Sequence, residues 1–250
     1  MIASASSDWT VRIWDAISGD PVGEPLTGHT AAVNAVAIGR AAGRAIIASA
    51  SKDNTVRTWD AISGEAIGDA LRGHTDSVNA VAIGSAGGRA LIVSASWDHT
   101  VRIWDAVSGA MLGGPMSGHT AGVNGVAVGI AANRAIIASA GEDETVRIWD
   151  AVSGAPVGEP LAAHTAGVNA VAIGIAAGRA IIASASWDHT LCVWDAETRD
   201  ILQIINMLEP PRALAVDASG VIYVSAAIAI CRFEPSPRFV SAPPESLRRI

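Results

Sequence analysis

The 250-residue chain is half apolar and only 16% charged, with a net charge of −7 and no basic run. That balance supplies a core and argues against a nucleic-acid partner, which needs a positive face to release counterions. The two cysteines, Cys192 and Cys231, make neither a metal spacing nor a disulfide framework, so buried free thiols are expected.

The first twenty residues, MIASASSDWTVRIWDAISGD, contain text that returns along the chain. Trp-Asp pairs stand at Trp14-Asp15, Trp59-Asp60, Trp104-Asp105, Trp149-Asp150 and Trp194-Asp195, 45 residues apart each time. One fixed period means one array of stacked units rather than independent domains. The units fall near 1–28, 29–73, 74–118, 119–163 and 164–205, followed by a degenerate sixth over 206–235. The Pro-rich tail 236–250 is expected to be flexible. MIASAS has no basic n-region, so no signal peptide is read there. The apolar stretch 169–186 is broken by a Gly-rich turn with Arg179, so no membrane span is read either.

Within a unit, four short segments alternate with turn signals, as in 33–39, 45–51, 55–60 and a fourth near 66–71. They are rich in β-branched residues and too short and aperiodic for helices, which predicts strands. Alternation is weak, as expected of sheets covered on both faces. Gly43, Gly88, Asn133 and Gly178 share one turn position, and Gly replaced only by Asn marks a residue at positive φ. Gly19, Gly64, Gly109 and Gly154 have the same role after the Trp-Asp pair. Asp8, Asp53, Asp98, Asp143 and Asp188 each precede a Thr by two residues, where a carboxylate can accept from its own turn.

Four short strands per 45 residues, with Gly28-His29, Gly73-His74, Gly118-His119 and the five Trp-Asp pairs, resemble the WD40 family over residues 1 to about 205. In the fifth unit Ala163 replaces the Gly before His164. The resemblance implies an all-β propeller over 1–235, its first segments lining a central channel and its fourth segments forming the outer edge. Counting segments gives four complete four-stranded blades, a partial N-terminal blade lacking its innermost strand, and a degenerate C-terminal blade. The array is then an incomplete or six-bladed ring, and a truncated N-terminus of a longer propeller is the expectation. Sixteen Arg against a single Lys, with many Ala and Gly, suggest a GC-rich bacterial genome.

Histidines that recur one per blade would be spread round a ring and could not converge on one metal ion. The resemblance instead implies a structural hydrogen-bonded set in each blade: His29, Ser49, Asp53 and Trp59; His74, Ser94, Asp98 and Trp104; His119, Ser139, Asp143 and Trp149; His164, Ser184, Asp188 and Trp194. Buried indole and carboxylate groups need such partners. The first unit keeps Ser4, Asp8 and Trp14 without a His.

Three tryptophans lie outside the pairs. Trp97 and Trp187 precede the turn Asp, where other units carry Ser7, Lys52 and Glu142, and Trp9 follows Asp8. The resemblance places this varied turn at the channel mouth, with Asn34, Asn79, Asn124 and Asn169 ringing the same mouth. The alternative is that each indole folds down onto its own hairpin or the neighbouring blade. Large aromatics on a polar rim are hot-spot material. The expected function is a non-catalytic, cytoplasmic protein-interaction scaffold, without cofactor, catalytic residue or metal, whose partner is another protein or an upstream domain. The alternative is a small-ligand or glycan binder. An enzyme is less favoured, because the unrepeated residues Lys52, His99, Glu142, Glu144 and His189 set no nucleophile beside a base.

Overall fold

A computed structural model describes residues 1–226 and 230–233, so the tail 236–250 lies outside the described residues. Among them every regular element is a strand, and the strands form six antiparallel sheets in chain order. The first sheet is β1 (Ile2–Ala5) and β2 (Val11–Trp14). The second is β3 (Val33–Ala41), β4 (Arg44–Ser51) and β5 (Val56–Asp60). The third is β6 (Val78–Ala86), β7 (Arg89–Ser96), β8 (Thr100–Asp105) and β9 (Met116–Ser117). The fourth is β10 (Val123–Ala131), β11 (Arg134–Gly141), β12 (Thr145–Asp150) and β13 (Leu161–Ala162). The fifth is β14 (Val168–Ala176), β15 (Arg179–Ser186), β16 (Thr190–Asp195) and β17 (Ile201–Asn206). The sixth is β18 (Ala213–Val216), β19 (Ile222–Ser225) and β20 (Ile230–Phe233).

Local chemistry sets the hairpins. β3 pairs with β4 across a two-residue turn, Ala42-Gly43, and both residues have positive φ, at 47° and 78°. That is the mirror-image turn whose twist matches flanking strands. Ala132-Asn133 and Ala177-Gly178 repeat it, so the predicted Gly/Asn position is the second of two. In the next turn the residue after the Asp is at positive φ in all five units: Trp9, Asn54, His99, Glu144 and His189. Trp9 therefore sits on a turn corner, a different place from Trp97 and Trp187.

The fourth segments are less regular than four full strands per blade. In four units they are reduced to a two-residue strand or isolated bridges, such as Val56 to Leu71 and Trp59 to Ala66. The cause is Gly23, Gly68, Gly113 and Gly158, all at positive φ in mid-segment. The fifth unit has Gln203 at that place, and there the segment runs as the six-residue β17.

Five apolar cores join the six sheets in order, each between one sheet and the next. Trp59, Trp104, Trp149 and Trp194 are buried, and each packs against the preceding sheet. First strands lie side by side: β3 on β6, β6 on β10, β10 on β14, β14 on β18. Their approach requires glycine. A Cβ on Gly39, Gly84, Gly129 or Gly174 would fall inside the side chain of Ile83, Val128, Ile173 or Val216 on the next blade.

Candidate functional site

Each of units two to five contains one buried polar chain. In the second, His29 Nδ1 meets Asp53 Oδ2 at 2.8 Å, His29 Nε2 meets Ser49 Oγ at 2.8 Å, and Trp59 Nε1 donates to Ser49 Oγ at 2.9 Å. Asp53 also accepts from Thr30 N, Thr55 N and Thr55 Oγ1. The same contacts tie His74, Ser94, Asp98 and Trp104, His119, Ser139, Asp143 and Trp149, and His164, Ser184, Asp188 and Trp194. A neutral imidazole protonated on Nδ1 satisfies every member: it donates to the carboxylate and accepts from the Ser hydroxyl, which accepts from the indole. Burial holds the His29 and His164 pKa values below normal against the pull of Asp53 and Asp188. For Asp53 and Asp188 burial acts upward, but the hydrogen bonds they accept outweigh it, and both are held below the ordinary carboxylate range. In the first unit Trp14 Nε1 donates to Ser4 at 2.8 Å, and Trp14 is only partly buried.

The glycine before each His has a packing reason. A Cβ on Gly118 would stand 2.9 Å from Arg147 Nη1 and 3.1 Å from Trp149 Cη2, and Gly28 and Gly73 face Arg57 and Arg102 in the same way. In the fifth unit the Arg position is Cys192, and there Ala163 is accommodated. Burial pushes the Cys192 thiol up to about 11. Cys192 is buried as expected, whereas Cys231 is only partly buried.

The Trp-Asp carboxylates cap the turn that follows them. Asp60 Oδ1 accepts from Ile62 N and Ser63 N at 2.9 Å, and its Oδ2 pairs with Arg44 at 2.7 Å. Arg134–Asp150 and Arg179–Asp195 repeat the pair.

The turn that carries Lys52, Trp97, Glu142 and Trp187 lies at the Gly-His end of the sheets. The backbone N–H of these four residues donates to the carbonyls of Ala32, Ser77, Gly122 and Gly167, just before the first strands. Trp9, Trp97 and Trp187 are 53%, 48% and 48% exposed. Trp97 also lies against the neighbouring blade: a Cβ on Gly122 would stand 2.6 Å from its Cδ1, and its Nε1 donates to Asn124 Oδ1 at 3.2 Å.

The asparagines have a second occupation. Asn34, Asn79, Asn124 and Asn169 each sit where the first strand slips register against the second. Such a bulge turns the side chain out of its own ladder. Their Nδ2 groups donate to Val78 O, Val123 O, Val168 O and Pro211 O on the next blade, at 2.9–3.3 Å. They are latches between blades, and only Asn124 also joins the tips, through Trp97 and Glu142 Oε1.

With the repeat geometry in place, the sequence profile of the WD domain, G-beta repeat, matches residues 19–60, 67–105, 112–150 and 154–195. These segments make up well over half of the chain. The chain belongs to the WD40 family. No curated protein sequence matches it. WD40 propellers are commonly protein-interaction scaffolds. Among the described residues of this one, no group of three or more His, Cys, Asp or Glu is placed to hold a metal ion. Among the described residues no helix is long and apolar enough to cross a membrane.

Proposed function

We propose that this WD40 protein is a non-catalytic scaffold that binds a partner protein through the turn tips at its Gly-His end. The observation that carries this is the exposure of three tryptophans there, while the four of the complete polar sets are buried. Half-exposed indoles on a rigid polar rim present large area at low entropic cost, the property of binding hot spots. The recognition surface comprises Trp9, Lys52, Trp97, Glu142 and Trp187, with the Asn latches joining the adjacent blades that carry these tips. A cytoplasmic place of work accords with two unbridged cysteines.

The test is affinity capture by the full chain, run in parallel with Trp97→Ala/Trp187→Ala and with Ile62→Ser. Ile62 is an exposed residue in the turn after a Trp-Asp pair, at the other end of the sheet. A captured protein lost by the tryptophan variant and kept by Ile62→Ser supports the rim. Loss in neither variant removes it. Trp-dependent binding to a glycan panel in place of a protein establishes the sugar-binding alternative.

A further inference from the structure

The varied tips differ in kind along the ring, and three neighbours make one continuous surface. Trp97 lies on Gly122 and donates to Asn124, and Asn124 Nδ2 donates to Glu142 Oε1 at 3.2 Å. A Cβ on Gly167 would stand 3.4 Å from Glu142 Cα and 3.7 Å from Trp187 Cδ1, so Glu142 and the second indole border the same glycine. Glu142 keeps Oε2 free of that relay, is exposed, and is joined on the same tip by exposed Glu144, at φ 66°. The Glu142 carboxylate thus stands between two half-exposed indoles, with exposed Glu144 on the same tip. Trp97 already has its one N–H satisfied by Asn124, which leaves its ring for contact. Exposed Lys52 lies on the tip before that of Trp97, and exposed Arg212 lies in the loop between β17 and β18.

Resting on the rim reading above, we infer that the span from Trp97 through Glu142 and Glu144 to Trp187 docks a basic, Arg-bearing segment of a partner protein. An aromatic face attracts a cation through its quadrupole, and the planar, weakly hydrated guanidinium stacks on indole better than an ammonium does. A carboxylate between the rings completes the charge pairing and can take the guanidinium fork. The net charge of −7 favours the encounter but cannot by itself choose this site. Glycine at 122 lets the Trp97 indole sit close to the backbone of the next blade, so that part of the surface is preorganised.

The experiment measures anisotropy of fluorescein-labelled hexa-arginine titrated with the full chain at moderate salt. Trp97→Ala/Trp187→Ala leaves net charge unchanged and is expected to weaken binding by about tenfold or more. Glu142→Gln/Glu144→Gln retains an acceptor for Asn124 and is expected to weaken binding to a similar extent. Glu24→Gln/Glu65→Gln removes the same charge from exposed residues of the fourth segments and is expected to change binding less than about twofold. Hexa-arginine binding that ignores the tryptophan substitutions is diffuse attraction and overturns the inference. In a parallel selection of random twelve-residue peptides, Trp-dependent binders without Arg or Lys would retain the rim and overturn its basic partner. Binders indifferent to Trp97 and Trp187 would overturn both.

Discussion

Ser94→Ala tests the polar set at its junction. Ser94 is fully buried, and its Oγ accepts from Trp104 Nε1 at 2.9 Å and meets His74 Nε2 at 2.8 Å. Alanine keeps the shape of the site and deletes only the hydroxyl. Two buried polar groups then have no partner and no access to water, at about 1–3 kcal/mol each. The expected loss is about 2–6 kcal/mol, a large share of the stability of a typical domain. The first unit supplies an internal control. Ser4 serves Trp14 alone, and Trp14 is partly exposed, so Ser4→Ala leaves one indole N–H that water can reach. Its expected cost is about 1 kcal/mol or less. Urea unfolding of both variants and the parent, followed by far-UV circular dichroism, gives the two differences. A Ser94→Ala loss below about 0.5 kcal/mol, or one equal to that of Ser4→Ala, would refute the claim that the hydroxyl joins two buried groups.

Gly84→Ala should destabilise by about 1–3 kcal/mol, because its methyl overlaps Val128; in denaturant titrations Val128→Ala should cost less in that background than in the parent. Gly118→Ala should lower the thermal midpoint through its approach to Arg147, and Gly118→Ala/Arg147→Cys should recover part of the loss, as Ala163 with Cys192 already does. That double variant also removes Arg147 Nε, which is buried without an acceptor. Acid should destabilise the fold in two stages. His29 and His164 have folded pKa values below their unfolded 6.5, so the unfolded chain takes up protons first and stability begins to fall as pH drops through about 6.5. Asp53 and Asp188 are likewise depressed, so a second loss begins near pH 4, where the unfolded carboxylates protonate. Thermal midpoints from pH 8 to 3 should decrease steadily; a rise between pH 7 and 5 would contradict the neutral, Nδ1-protonated imidazoles.

The architecture is readable because its determinants recur at one offset: Trp-Asp pairs mark the first five units, and His residues and turn glycines or asparagine mark the second to fifth. The members His29, Ser49, Asp53 and Trp59 meet at hydrogen-bond distance, and Thr55, which the sequence marks only as the position two after the Asp, also contributes to the set. Arg44 and Arg134 recur just as regularly, but their pairing with Asp60 and Asp150 depends on how the ends of two hairpin strands meet, which spacing alone does not reveal. The Asn latch depends on a bulge and on a carbonyl from the next blade, neither of which a single unit reveals. The broken fourth segments trace to Gly68 and its equivalents, whose positive φ interrupts what the spacing predicts as strand. Exposed Ile17, Ile62, Val107 and Val152, by contrast, give no outward sign: β-branched residues look like core until Asp60 and its counterparts fold them into a capped turn.

The contact between Gly39 and Ile83 is repeated, almost atom for atom, by Gly84 with Val128 and Gly129 with Ile173. One seam is therefore interchangeable with another, and only the covalent order of the chain decides which leaf meets which. Excising residues 74–118 would bring Gly39 opposite Val128, a side chain it could receive as it now receives Ile83. A shortened protein with the same pitch should still assemble, because a whole period can be removed without redesigning a joint.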